Sequence, residues 1–302
     1  MSLPGDPALD RAYHPGAVPV RLVRAEIMKI RTTSIWWLFL LGVVVFTAGA
    51  LWANAVSHHL ELYPPLGALT GAARAQAIAQ AARARTHSGQ VAIAASMMTS
   101  GQFLGVLFAM LIGVLVITSE FAHQTATATF LATPRRAVVI TAKLAAAAWF
   151  GALFWLVSTV MDAVTTPFYL HSQHVSVSLT GWVVVRSVLL SPLAFAIWAC
   201  FGLGLGALIR SQTGSVITGM AVYLAGLAAA EITFHLIYNF YPHGWVLGAP
   251  VIGPAVASTV MITPGRAFAH APPQWAGLVI MVGYAAALGV SGIAVTRRRD
   301  VT

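Results

Sequence analysis

The residues of this chain best suited to chemistry are ionisable side chains that interrupt long apolar stretches. Asp162, Arg186 and Glu231 are three of these. Measured along ideal helices from the basic residues Lys143 and Arg210, they lie at about 28, 36 and 31 Å, a similar depth. A charge in lipid costs several kcal/mol unless it is paired or hydrated. The three residues are therefore candidates for a polar outer gate, although side chains that only reach the head groups explain the pattern equally well.

Common enzyme motifs are missing or incomplete in the sequence. Neither of the two lysines, Lys29 and Lys143, follows a glycine, so the chain has no Gly-Lys phosphate loop. A Gly-Val-Ser-Gly run around Ser291 is similar to the serine motif of rhomboid-type intramembrane proteases. All ten histidines precede that serine, however, whereas those proteases carry their histidine in a later helix. We expect a protein that is not itself an enzyme and binds no cofactor or metal.

Histidines form the other chemical set. Two of them, His171 and His174, are spaced for a pair of metal ligands, and the wider group could sense external pH. No carboxylate or cysteine joins them in a ligand spacing. We therefore interpret the eight histidines on the predicted outer side as side chains scattered at the membrane interface. They are His58, His59, His87, His171, His174, His235, His243 and His270.

The elements that must position these residues are membrane helices. Only 8% of the residues are charged, while 58% are hydrophobic. Each uncharged stretch can hold roughly 20 residues of apolar helix, enough to cross a bilayer core. The pattern predicts an all-α integral membrane protein with six transmembrane helices. The uncharged stretches are 32–60, 86–119, 144–161, 187–209, 211–230 and 267–296.

The orientation follows from the basic residues. With both termini in the cytoplasm, 12 lysines and arginines fall on the inner side and five on the outer side. This distribution satisfies the positive-inside rule and predicts a multi-pass protein of the cell membrane. The net charge of +9 is then an orientation signal, and no nucleic-acid partner is expected.

Several segments are expected to flank or interrupt one transmembrane domain, 34–302. Residues 1–19 read as a flexible cytoplasmic terminus, and 20–33 as an amphipathic helix on the inner membrane surface, with Arg24, Glu26, Lys29 and Arg31 on its polar side. The outer loop 57–97 contains an Ala-rich helix. The proline-broken stretch 234–273 suits short re-entrant helices, provided that their backbone is buried against protein.

The segment 120–136, between the second and third spans, carries the strongest functional signal. It begins with Glu120 and Phe121, continues through a Thr-rich run with Thr125 and Thr129, and ends at Arg135 and Arg136 after a proline. A short helix pinned between two spans is suited to transmit force from a cytoplasmic partner. On these residues alone, an ordinary inner loop is equally reasonable.

This segment resembles the coupling helix of type-2 ABC transporter permeases, in which an acid and an aromatic precede a Thr-rich run and a Pro-Arg step. Residues 24–32 resemble the elbow helix of that family. The glycine repeat Gly202-Leu-Gly204-Leu-Gly206 and the Arg-Arg-Asp-Val ending are similar to its fourth-to-fifth span turn and its C-terminus. The chain departs from the family in its longer first outer loop with the Ala-rich helix.

The resemblance implies an exporter subunit that works as a homo- or heterodimer with two copies of a separate cytoplasmic ABC ATPase. ATP and Mg would be bound by those partners, and the substrate would be a hydrophobic or amphipathic drug, lipid or lipid-linked compound. Membrane lipids would surround the dimer. An ion-coupled secondary carrier or channel, and a non-transporting membrane partner of an ATPase, are the alternatives that the residues leave open.

Overall fold

In a computed structural model the chain is a bundle of α-helices. The structure describes residues 17–122, 136–209, 211–240, 243, 246, 248–263 and 271–298, and no β-strand occurs among them. Short 3₁₀ turns at Leu66–Ala68 and Ala249–Ile252 and a π-helical segment at Ala221–Ala225 join or extend the helices. The helices are α1 (Ala17–Arg31), α2 (Ile35–Leu62), α3 (Gly71–Ala84), α4 (His87–Met97), α5 (Gln102–Ala122), α6 (Arg136–Ser172), α7 (Trp182–Ile209), α8 (Gln212–Met220), α9 (Gly226–Phe240), α10 (Pro254–Ile262) and α11 (Gln274–Arg298).

Six stretches of helix are long and apolar enough to cross a membrane, as the charge map predicts. The prediction of an all-helical, multi-pass membrane protein is confirmed at this level. Helices are the expected solution, because lipid offers the backbone no hydrogen-bond partner. The candidate spans are Ile35–Leu62, His87–Ala122, Val138–Ser172, Trp182–Ile209, Gln212–Phe240 and Gln274–Ser291.

Helices occupy both ends of the predicted outer loop 57–97. Helix α2 continues to Leu62, and the second candidate span begins at His87. The Ala-rich helix exists as α3 after Thr70, whose side chain makes no capping hydrogen bond. Instead, the hydroxyl oxygen of Thr86 caps α4 by accepting a hydrogen bond from the Gly89 amide at 3.2 Å. The end of α2 and the whole of α4 thus lie within the residues that the sequence assigns to the loop.

Helix α7 lies at the centre of the bundle and packs against α5, α6 and α11. Its glycines face two different neighbours. A Cβ on Gly202 would stand 1.9 Å from the carbonyl oxygen of Met110 on α5, whereas a Cβ on Gly204 would stand 2.7 Å from the Cβ of Leu288 on α11. From the α5 side, a Cβ on Gly113 would stand 2.0 Å from the carbonyl oxygen of Ala199. The backbones of α5 and α7 therefore touch, the close approach that small residues permit between membrane helices.

Burial is uneven among the spans. In the most apolar window, 78% of the residues of the second candidate span are buried inside the structure, against 7% for the fifth. The first and sixth spans are also largely exposed, at 17% and 11% buried. Exposed apolar surface of this extent faces lipid or another protein, because water would not tolerate it.

The stretch between α9 and α11 contains short helices, as its prolines suggest. The 3₁₀ turn Ala249–Ile252 leads through Gly253 into α10. Most of α10 is buried, and it packs against α11 and α7. Its backbone is therefore covered by protein, the condition stated above for a broken helix at membrane depth.

Replacing Gly202 with alanine tests the contact between α5 and α7. The added Cβ would collide with the Met110 carbonyl oxygen, so we expect Gly202→Ala to destabilise the protein by about 1–3 kcal/mol. The measurement is the apparent melting temperature of the purified chain in detergent. Gly49→Ala in α2 is the matched control, because its Cβ would meet nothing within 4 Å. Equal melting temperatures for the two variants would contradict this account.

Candidate functional site

Four charged side chains from three helices meet where α1 packs beside the last turn of α5 and the first turns of α6. We call this region the α1 end of the bundle, and the four residues Glu26, Lys29, Glu120 and Lys143 the ion quartet. Lys143 lies between the two acids: its Nζ is 2.7 Å from Glu26 Oε2 and 2.8 Å from Glu120 Oε1. One lysine therefore connects α1 and α5 to α6.

Lys29 closes the quartet from the other side. Its Nζ is 2.8 Å from Glu26 Oε1 and 2.8 Å from Glu120 Oε1. The quartet uses both lysines of the chain and has no net charge. Lys143 Nζ also lies 3.4 Å from the carbonyl oxygen of Val116, to which it donates. Acids and lysines thus alternate around a closed ring of contacts.

Burial makes this pairing necessary. The side chains of Lys143, Glu26 and Glu120 are 1%, 6% and 7% exposed, whereas that of Lys29 is 49% exposed. Buried charges are tolerated only when they are paired and hydrogen-bonded. Burial alone would lower the pKa of the Lys29 ammonium, but hydrogen bonds and charge from Glu120 and Glu26 outweigh it and raise that pKa above its ordinary value.

Local sequence explains how the four residues converge. Glu26 and Lys29 are three residues apart and share one face of α1, and Ile27 and Ile30 of the same helix pack against the main hydrophobic core. On α6, Lys143 stands among small buried alanines, namely Ala142, Ala146 and Ala147. Small neighbours leave room for the long lysine side chain and for the two helices that approach it.

The elbow and coupling residues named from the sequence fall partly inside this site. Glu26, Lys29 and Glu120 belong to the quartet, whereas Arg24 and Arg31 are exposed on α1. Phe121, in the last turn of α5, packs against the main core. Thr125, Thr129 and Arg135 lie outside the described residues, and Arg136 is the first residue of α6 with its side chain not described.

Two of the three candidates for an outer gate, Asp162 and Arg186, form no salt bridge with each other in the described part of the chain. Asp162 on α6 is 2% exposed, and its Oδ2 accepts a hydrogen bond from the Gly101 amide at 3.2 Å. Within the described ranges no salt bridge connects Asp162 to Arg186, and the Nε of Arg186 is buried without a hydrogen-bond partner. Glu231 lies on α9, and its side chain is not described. Asp162 is fully enclosed, so it does not reach outward to head groups.

Sequence reasoning missed the role of Lys143, which served only as a marker of depth. The pairing of Lys143 with Glu26 spans 117 residues, so it leaves no local pattern in the sequence. Histidines near the opposite end find ordinary partners. His58 lies 3.0 Å from Glu61 and 3.1 Å from Ser96, and His59 lies 2.9 Å from Gln173.

No protein-family model matches the chain, and no curated protein matches it. The described part of the chain also contains no group of three or more His, Cys, Asp or Glu residues arranged to hold a metal ion. All four side chains of the quartet are engaged in ion pairs. What it provides is a fixed connection between three helices, which is suited to holding or transmitting position.

Replacing Lys143 tests how much the quartet contributes. Lys143→Met removes the buried ammonium that contacts the carboxylates of both Glu26 and Glu120, so we expect a loss of about 3–5 kcal/mol in unfolding free energy. Lys29→Met is the comparison, with a smaller loss because half of that side chain is in solvent. The measurement is denaturant unfolding of the purified chain in detergent.

A double variant separates charge pairing from packing. Adding Glu120→Gln to Lys143→Met removes the charge of one of the two buried carboxylates that Lys143 contacts. Part of the unfolding free energy lost in Lys143→Met should then return. The contradicting outcome is additivity. If Glu120→Gln lowers the unfolding free energy by the same amount in the wild type and in Lys143→Met, then Glu120 and Lys143 do not interact energetically.

Proposed function

We propose that this chain is the membrane-spanning permease subunit of an ATP-driven exporter of the type-2 ABC class. Separate ATPase subunits would hydrolyse ATP, and the substrate leaving the cell would be hydrophobic or amphipathic. One observation carries the proposal furthest: the ion quartet brackets the segment 120–136. Glu120 stands at the start of that segment, and Lys143 stands two helical turns after its end.

This placement gives the proposed coupling segment a mechanical role. A force applied between α5 and α6 reaches the quartet from both sides, and the quartet also holds α1 through Glu26. The three helices would therefore respond together. Glu120 acts in this proposal as a buried anchor for the coupling segment, because its side chain is only 7% exposed.

The flanking elements suit the same proposal. Helix α1 would be the elbow helix at the inner membrane surface, where exposed Arg24 and Arg31 meet anionic head groups. Residues 234–273 would form the outer re-entrant segment, with the short helices of 249–262 inside it. Both termini would be cytoplasmic, an orientation that the excess of basic residues on the inner side supports.

The partners follow from the proposed class. Two copies of a cytoplasmic ABC ATPase would bind ATP and Mg and dock against the coupling segments of two permease copies. The exposed apolar faces of the first and fifth spans offer surface for the second permease copy and for lipid. This chain would bind neither the nucleotide nor the metal.

The orientation can be tested with single cysteines in a Cys200→Ser background. We expect Thr129→Cys to react with a membrane-impermeant maleimide in inside-out vesicles but not in right-side-out vesicles, because the coupling segment would face the cytoplasm. Ala75→Cys, on exposed α3, is the matched control with the opposite pattern. Reaction of Thr129→Cys from the outside would rule out the proposed role of this segment.

Partner coupling can be tested by adding a purified cytoplasmic ABC ATPase from the same organism. We expect the purified chain to form a complex with it and to stimulate its ATP hydrolysis. Glu120→Gln should retain the complex but lose most of that stimulation, since the anchor of the coupling segment is weakened. Glu61→Gln, a half-exposed acid near the opposite end, is the control. A chain that forms no complex and moves substrate without ATP would be a carrier instead.

One observation favours a second candidate, an ion-coupled carrier. The enclosed Asp162 carboxyl sits well inside a span, with about 15 Å of α6 between it and Ser172. Carriers place ionisable side chains within spans for ion binding.

A further inference from the structure

A second polar cluster lies around Asp162, on the opposite side of the bundle from the quartet. Ser158, Asp162 and Thr166 are spaced four residues apart on α6, so they share one face of the helix. Their exposed fractions are 2%, 2% and 0%, and Thr47 on α2 is 1% exposed. Burying four polar side chains from two helices carries a strong desolvation cost unless they find partners.

Gly101 brings the cluster together. This residue lies between α4 and α5, and its amide donates to Asp162 Oδ2 at 3.2 Å. A Cβ on Gly101 would stand 2.5 Å from Ser158 Cβ and 2.8 Å from Thr47 Oγ1. The carboxylate, the Ser158 side chain and the Thr47 hydroxyl therefore approach the same small residue from two helices.

Three oxygen atoms of this cluster have no hydrogen-bond partner among the described residues. They are Asp162 Oδ1, Thr47 Oγ1 and Thr166 Oγ1, all buried. Nearly all buried polar atoms in native proteins are satisfied, so an oxygen group of this kind calls for a ligand. The Ser158 hydroxyl differs, since it donates to the Trp155 carbonyl oxygen at 2.9 Å.

No charged side chain within the described ranges compensates Asp162. The titratable groups on the elements packed around it make no ion pair or hydrogen bond with the Asp162 side chain, whose one hydrogen bond comes from the Gly101 amide. An ionised carboxylate in this position would therefore be an uncompensated buried charge. The groups are His58, His59 and Glu61 on α2, His87 on α4, Glu120 on α5, Lys143, Tyr169 and His171 on α6, and Arg186 and Cys200 on α7.

We propose that Asp162, Thr47 and Thr166 form a binding site for a small monovalent cation, either a proton or a sodium ion. Both supply the positive charge that the carboxylate lacks. All the candidate ligands are oxygen atoms, which suit a hard cation, and Thr hydroxyls can either coordinate sodium or accept from a protonated carboxyl. The crowding at Gly101 leaves little space, which favours a small cation.

The site does not depend on an ATPase partner. It lies on α2, α6 and the α4–α5 connection and includes no residue of the segment 120–136, so either proposal can fail while the other holds. In an ABC exporter it would add cation dependence to the cycle, and in a carrier it would be the coupling site.

The first arm of the test measures sodium. Purified full-length chain in detergent is melted in sodium chloride and in choline chloride at equal ionic strength. If sodium is the cation, the melting temperature of the wild type rises by about 2 °C or more in sodium, and Asp162→Asn abolishes the rise.

The second arm measures the proton. Infrared difference spectra of wild type against Asp162→Asn isolate the carboxyl C=O band of Asp162. If the proton is the cation, that band titrates reversibly within about pH 5–9 and sodium has no effect on melting. The proposal is overturned if sodium has no effect and no titrating band is lost in Asp162→Asn, or if that variant keeps the sodium response.

Threonine variants keep the test valid if Asp162→Asn folds poorly. Thr47→Val and Thr166→Val preserve side-chain volume and should weaken sodium affinity by about tenfold, or shift the titration of the carboxyl band, because each removes one oxygen ligand. Thr118→Val is the control: its hydroxyl is also buried but donates to the Val114 carbonyl oxygen at 2.9 Å. If Thr47→Val, Thr166→Val and Thr118→Val all show the same sodium affinity and the same carboxyl titration, Thr47 and Thr166 are not ligands of the cation.

Discussion

The position of Lys143 between Glu26 and Glu120 is the constraint on which the α1 end depends. A lone ammonium at 1% exposure would be strongly unfavourable, so the two carboxylates must be held within about 3 Å of it. That requirement fixes where α1 packs, where α5 ends and how α6 begins. Buried ion pairs contribute little net stability compared with apolar side chains of the same volume, but they permit few alternative arrangements. The quartet is therefore better understood as a geometric constraint than as a source of stability.

The second constraint is steric and acts at the centre of the bundle. Gly202 and Gly113 let the backbones of α5 and α7 touch, while Gly204 admits α11 on another face of α7. Helices in lipid gain no hydrophobic drive toward each other, so such close packing is what holds them together. The well-buried helices α5 and α7 form the interior, whereas the first, fifth and sixth spans present most of their apolar surface outward. Charge fixes the α1 end, and packing fixes the middle.

The six spans could be predicted because a bilayer sets a minimum length for an apolar helix, and an uncharged stretch of that length is visible in the sequence. The site could not be predicted as a whole. Glu26, Lys29 and Glu120 were each recognised as candidate residues, but Lys143 was not. Lys143 and Glu26 are 117 residues apart, and a pairing at that separation leaves no periodic pattern in the sequence. The same limit applies to Asp162, whose depth suggested Arg186 as a partner although its hydrogen bond comes from a backbone amide. Depth along a helix gives no information on which face a side chain occupies.

Polar contacts join helices α5 and α6 near both of their ends. Glu120 contacts Lys143, and the Gly101 amide contacts Asp162. Gly101 and Glu120 are 19 residues apart, and so are Lys143 and Asp162, so both contacts belong to one antiparallel register, about 28 Å apart along the helices. Sliding α5 against α6 would break both contacts together, separating a buried ion pair at one end and removing the amide hydrogen bond of Asp162 at the other. Conformational change in this bundle therefore costs least when α5 and α6 move as one body and the outer spans, which have fewer buried contacts, shift around them.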